Sequence, residues 1–458
     1  MTALLWAPQA WIAGRWQDAV LMRADADGRW AEVTAGVAAP PQATVLPGPV
    51  LPGMVDAHSH AFQRAFVGLA ERRTSEHDDF WSWRDRMYGV ALRITPAQLR
   101  AVAVQLYTEL LAGGYTQVCE FHYLHHAEDG SRYADPLAMS RALAEAAVEV
   151  GIGLTLLPVL YERAGFTQPA LRPDQRRFAT DVDHVLALRD GVRALGLLEV
   201  TAGVAIHSLR AAAPSSIRKL MDRLQGDAAP IHIHIAEQTG EVDDCLAATG
   251  ARPIEWLARE FALDARWQLV HATHATPAEI DAVAASGAGV VICPSTEANL
   301  GDGLCDLPRW LASGTPLSVG SDSQVGRQWP EELRWLEYGQ RLHLRQRNVA
   351  ADPALADGAT AARLFERMQG GGAAAAGFAR WGLQMGARAD LLVVDPLAEG
   401  LAGTPASHVL DGLVFGGGAR GFAEVWVAGR RVMAPGADAS AAGRLTAFAA
   451  TLTEQRRR

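Results

Sequence analysis

Apolar residues follow two different patterns along this chain. The first residues carry short strand-like runs broken by Gly and Pro: AWIAG (10–14), AVLMRA (19–24) and RWAEVTAG (29–36). The far end does the same with ADLLVVD (389–395) and AEVWVAGRRVM (423–433). Neither end alone can bury much core, so the pattern predicts one small β-sandwich built from both termini. Between them, apolar strands alternate with helical segments, which predicts parallel βα units. Eight strands can be read: MVDAHSH (54–60), TQVCEFHY (116–123), GLTLLPVLY (153–161), GVAIHS (203–208), PIHIHIAE (230–237), WQLVHAT (267–273), GVVICPS (289–295) and PLSVGSD (316–322). LGLLEVTAG (195–203) competes for the fourth place. Helix patterns such as PAQLRAVAVQLYTELLAGG and DPLAMSRALAEAAVEVG end in Gly, a helix stop. The expected fold is therefore an α/β (β/α)8 TIM barrel over residues 51–375, with 1–50 and 376–458 supplying the sandwich and a tail. GGGAAAAGFA (370–379) reads as a flexible connection.

The active site of such a barrel lies at the C-terminal ends of its strands. Strand one ends in His58-Ser59-His60, and residues two apart on a strand share a face. Strand five offers His232, His234 and Glu237; strand six offers His271, with His274 close behind; strand eight ends in Gly320-Ser321-Asp322-Ser323. Imidazoles and one carboxylate from separate strand ends suit zinc, or iron or manganese. His232 and His234 share a face, and spacing does not choose between them.

Composition narrows the chemistry. A formal net charge of -9 gives the chain no general affinity for nucleic acid or an anionic membrane. No apolar run reaches the roughly 18 residues of a membrane span, and the N-terminus lacks a secretory pattern. Cys119, Cys245, Cys293 and Cys305 form no C-x-x-C pair and read as buried thiols of a cytoplasmic protein. Lys219 is the only lysine, and SSIRKLMDRL places it on an amphipathic helix as a solvated residue. Schiff-base and P-loop chemistries, which need a specific lysine, are thereby disfavoured.

PGMVDAHSH after a short β region, H-x-x-E on strand five, a histidine ending strand six and S-D-S ending strand eight resemble the amidohydrolase superfamily, over nearly the whole chain. More narrowly, HSHAFQRA (58–65), DFWSWRDRMY (79–88), CEFHYLHH (119–126), HIHIAEQTGEV (232–242), CPSTEANLGDG (293–303) and VGSDSQ (319–324) are similar to its formiminoglutamate iminohydrolase family of bacterial histidine degradation. Gln324 stands where that family suggests a histidine. The resemblance implies one divalent metal ion, zinc first, held by His58, His60, His234 and Asp322. It selects His234 over His232. Two-metal members carry a lysine at the end of strand four, and none stands there. Glu237, His271 and Asp322 are the implied catalytic residues. Gln63, Arg84, Tyr123, His207 and Arg210 are the implied contacts to a small dicarboxylate substrate. The expected reaction is deimination of N-formimino-L-glutamate to N-formyl-L-glutamate and ammonia, by a homodimer. Trp81 and Trp83 read as packing groups without the resemblance, and His122, His125, His126 and His274 as loop or supporting groups. Three alternatives remain at this stage: a nucleobase aminohydrolase, a two-metal amidase and a non-catalytic barrel.

Overall fold

The computed structural model describes residues 3–73, 78–418, 421–434 and 441–457. Eight parallel strands form its centre, in chain order Met54–Ser59, Tyr115–His122, Gly153–Leu160, Val204–Ser208, Ile231–Ile235, Trp267–His271, Gly289–Ile292 and Leu317–Val319. They are called strands one to eight below. Every residue of strands one, two, three and five is buried, as expected of parallel strands covered on both faces. Strand eight meets strand one through a parallel bridge between Ser59 and Asp322. There Asp322 N donates to His58 O at 2.9 Å and His60 N donates to Asp322 O at 3.2 Å. The barrel is therefore closed at the residues expected to carry the chemistry.

Local signals place the helices. Thr95 and Gln98 form a capping box ahead of Pro96–Ala112, and Thr276 and Glu279 do so ahead of Pro277–Ser286. The competition around strand four has a structural cause. Val200–Ala202 is a short strand of its own, paired with the start of strand three, and Val204–Ser208 follows to pair with the end of strand three.

The Gly/Ala stretch is not a flexible connection. Residues 360–375 form one helix, Thr360–Ala375, with Gly371, Gly372, Ala373 and Ala375 buried. A Cβ on Gly371 would lie 2.0 Å from Leu317 O, and one on Gly372 would lie 2.9 Å from Val55 Cβ. The glycines let this helix pack directly on strands eight and one.

Both termini build the small β domain. Its strands hydrogen-bond into one sheet in the order Arg430–Met433, Phe422–Val427, Leu391–Val394, Val50–Pro52, Leu4–Ile12, Arg15–Ala24, Trp30–Thr34, with Thr44–Val45 also paired to Leu4–Ile12. Leu391–Val394 pairs antiparallel with Val50–Pro52 and so joins the two ends. One face has its own core around Leu5, Met22, Trp30 and Leu391. Leu51, Leu392 and Val394 instead join the barrel core. Arg388 rivets the domains: it donates to Gln117 Oε1 at 2.7 Å and Thr116 O at 3.1 Å on strand two, while Asp390 holds it at 2.7 and 2.9 Å. The expected tail contains a helix, Ala441–Arg457, which packs on Pro96–Ala112 and buries Phe448 in the barrel core.

Candidate active site

The strand ends bring His58, His60, His234, His271 and Asp322 together. His58 Nε2 and His234 Nε2 are 3.0 Å apart. Asp322 Oδ1 lies 3.6 Å from His58 Nε2 and 3.5 Å from His60 Nε2. Second contacts orient the rings. His60 Nδ1 donates to Phe121 O at 2.8 Å, and His234 Nδ1 donates to His207 O at 2.9 Å. A carbonyl only accepts, so both Nε2 atoms present lone pairs to the centre. Burial holds His58 and His234 well below the ordinary histidine range and takes His60 down to about 3. Neutral imidazoles and one carboxylate suit a zinc-like ion. The 3.0, 3.5 and 3.6 Å separations lie near the roughly 3.3 Å edge of a tetrahedron with 2.0–2.1 Å bonds, and the close groups are His58–His60–Asp322 and His58–His234–His271, with His58 common to both. His232 shares the face of His234 but lies deeper, where its Nε2 donates to Ala375 O at 2.8 Å. Geometry thus separates the two histidines that spacing could not.

Three carboxylates surround His271. Its Nε2 is 3.8 Å from Glu237 and 3.9 Å from Asp322, and its Nδ1 is 3.3 Å from Glu297. Burial alone would lower this pKa, but Glu237, Glu297 and Asp322 push it up to about 10. The three carboxylates thus favour the protonated ring, whose nitrogens face Glu297 on one side and Glu237 and Asp322 on the other. Burial also pushes Asp322 up to about 7, against the pull of His271.

A further layer was not read from the sequence. Asp56 accepts from Ser321 N at 2.9 Å and Ser321 Oγ at 2.5 Å, while Glu120 accepts from Ser59 Oγ at 2.8 Å and Ala61 N at 2.6 Å. Gln324 donates to Ser59 Oγ at 3.0 Å and Asp322 O at 2.9 Å, so this glutamine braces the barrel seam. The available signal was an acid within a buried barrel strand, ahead of the residues at the strand's end: Asp56 in MVDAHSH and Glu120 in TQVCEFHY. Glu297, at a helix start, offered no such contrast.

One pocket opens above the histidines. Gln63, Arg84, Tyr123, His207 and Arg210 all line it, together with His60, His234, Glu237, His271, Asp322 and an aromatic wall that includes Phe80, Trp83 and Tyr88. Gln63 Nε2 donates to Tyr123 OH at 3.3 Å. His122, His125, His126 and His274 do not line this pocket. The first three pack around one another and His184. Lys219 pairs with Asp183 at 2.7 Å on a half-exposed surface, as the amphipathic pattern predicts.

A closed (β/α)8 barrel with histidines on strands one, five and six and an aspartate after strand eight defines a hydrolase fold of known type. The amidohydrolase family matches residues 50–432, and the chain belongs to that family, hydrolases acting on carbon–nitrogen bonds. The formimidoylglutamate deiminase of Pseudomonas aeruginosa is 46% identical over 98% of this chain and 99% of its own length. Among solved structures, an amidohydrolase from Brucella melitensis superposes with a TM-score of 0.93 at 41% identity, covering 99% of this chain and 100% of that one. An adenosine deaminase from Xanthomonas campestris with bound zinc shares the fold, with a TM-score of 0.81 at 22% identity over 100% of this chain and 99% of that one.

Proposed function

We propose that the protein hydrolyses N-formimino-L-glutamate to N-formyl-L-glutamate and ammonia, a step of histidine degradation. One observation carries this reading: a zinc-type donor cluster and two arginines face the same pocket. Zinc wants the cluster, and guanidinium groups suit carboxylates that do not react. The similarity to the Pseudomonas deiminase supports the same substrate.

His58, His60, His234 and Asp322 would hold one divalent ion, zinc by their chemistry, and that ion supplies the acidity that makes a water nucleophilic near neutral pH. Asp322 accepts the water's proton as its oxygen bonds to the formimino carbon. His271, as an imidazolium, donates a hydrogen bond to the oxygen where charge develops. Glu237 delivers a proton to the imino nitrogen, leaving a tetrahedral carbon that bears OH and NH2. Asp322 then passes its proton to that nitrogen, Glu237 takes back the hydroxyl proton, the carbon–nitrogen bond breaks and ammonia leaves as the formyl carbonyl forms. Arg84 and Arg210, with Gln63, Tyr123 and His207, hold the carboxylates away from the reacting carbon, so their binding energy positions the substrate. We read the enzyme as a cytoplasmic homodimer, its four unpaired thiols reduced; light scattering giving a monomer mass would reject the assembly. No helix among the described residues is long and apolar enough to cross a membrane.

The deciding experiment is ammonia release from formiminoglutamate, formiminoaspartate, guanine and cytosine. Formiminoglutamate should react best, with one formylglutamate per ammonia. Release from a nucleobase without release from formiminoglutamate would overturn the substrate assignment.

A further inference from the structure

Arg84 and Arg210 come from distant parts of the chain, the helix Phe80–Ala91 and the turn after strand four. One ring nevertheless holds both. Arg84 Cζ lies 4.7 Å from the ring centroid of Trp81, and Arg210 Cζ lies 5.1 Å from it. Tyr88 adds a second ring 5.6 Å from Arg84. Two guanidinium groups in one pocket repel each other, and the negative face of an indole offsets that repulsion. Stacking also uses the face of a guanidinium and leaves its in-plane N–H donors free.

The bonding around the arginines matches that division. Among the described residues Arg84 pairs only with its neighbour Asp85, at 3.2 Å, and that carboxylate is largely exposed. Its Nε is buried without a hydrogen-bond partner. Arg210 makes no hydrogen bond or ion pair among the described residues; its guanidinium lies over the Trp81 ring, and its charge also acts on the buried Glu241 carboxylate of the same pocket. The protein thus orients two cations without using the donors that a bidentate carboxylate requires.

We propose that Trp81 is a specificity-determining positioning residue. By holding the Arg84 and Arg210 guanidinium groups over one ring it fixes their positions relative to each other, and so sets the requirement for two carboxylates on a short chain. This rests on the formiminoglutamate reading and deepens it. Trp81 itself does not line the pocket and acts through the arginines.

The test compares the metal-loaded wild type with Trp81→Leu and Trp81→Phe on formiminoglutamate and on N-formimino-4-aminobutyrate, which lacks the α-carboxylate. Trp81→Leu should raise KM for formiminoglutamate by about tenfold or more, as the loss of two cation–π contacts implies. kcat should change less and metal content should not change. The preference for the dicarboxylate should collapse, and Trp81→Phe, which keeps a ring face, should restore most of it. An unchanged preference in Trp81→Leu, or equal losses on both substrates, overturns the proposal. Calorimetry with glutarate and butyrate separates this from failure of the substrate reading. If the wild type turns over neither formimino compound, glutarate binding that is lost in Trp81→Leu still supports the role of Trp81. Glutarate binding that is equal in both proteins, or absent from the wild type, refutes it.

Discussion

Ala236, His271 and Asp322 hold φ angles of 52°, 72° and 45°. Such angles cost non-glycine residues of order 1 kcal/mol or more each. They occur where strands five, six and eight end, and they turn Glu237, His271 and Asp322 into one pocket. This positioning was readable from strand ends, because residues that finish barrel strands face the site. The strain was not, since no residue type announces it. Glu297 escaped for a related reason: its partner His271 is distant in sequence, and only the fold brings them within 3.3 Å. Glu237→Gln keeps the shape but removes the proton carrier. Its rate should fall by about a hundredfold or more while metal analysis matches the wild type. His234→Ala should instead lose activity together with the roughly one ion per chain that a four-ligand site holds. Two tightly bound ions in the wild type would sink the single-metal reading.

At the scale of elements, the strands were readable because buried parallel strands leave near-continuous apolar runs. The helix Thr360–Ala375 was misread because its glycines look like linker composition. Their meaning lies in the distance to another backbone, which one strand of text does not contain. The two readings differ for neighbouring residues. Gly370 has nothing within 4 Å of a built Cβ, whereas Gly371 meets the Leu317 carbonyl. Gly370→Ala should therefore stabilise the helix by about 0.5–1 kcal/mol, and Gly371→Ala should destabilise by about 1–3 kcal/mol through overpacking. Thermal unfolding of the two variants should shift in opposite directions. A flexible linker would show neither shift.

Across the whole molecule, the terminal sheet and the barrel share a buried ionic joint. Arg388 is held by Asp390 and reaches strand two, with the Phe378 and Trp381 rings 5.3 and 5.1 Å from its Cζ. Removing one partner of such a pair leaves an uncompensated charge. Arg388→Met should lower stability by about 3–5 kcal/mol, seen as earlier thermal unfolding and faster proteolysis, and an unchanged melting temperature would reject the joint. The barrel seam has a temporal consequence. A nascent chain carries His58 and His60 early, but strand eight, which brings Asp322 beside them, emerges some 260 residues later. Until then the ring is open at the edge where the ligands must meet. With the proposed ligands, loading of an ion would be a late event that acts on an almost finished molecule. An ion held by the proposed ligands His58, His60 and Asp322 would bridge first and last strands as a clasp, favouring the closed ring over every open one by its own binding free energy.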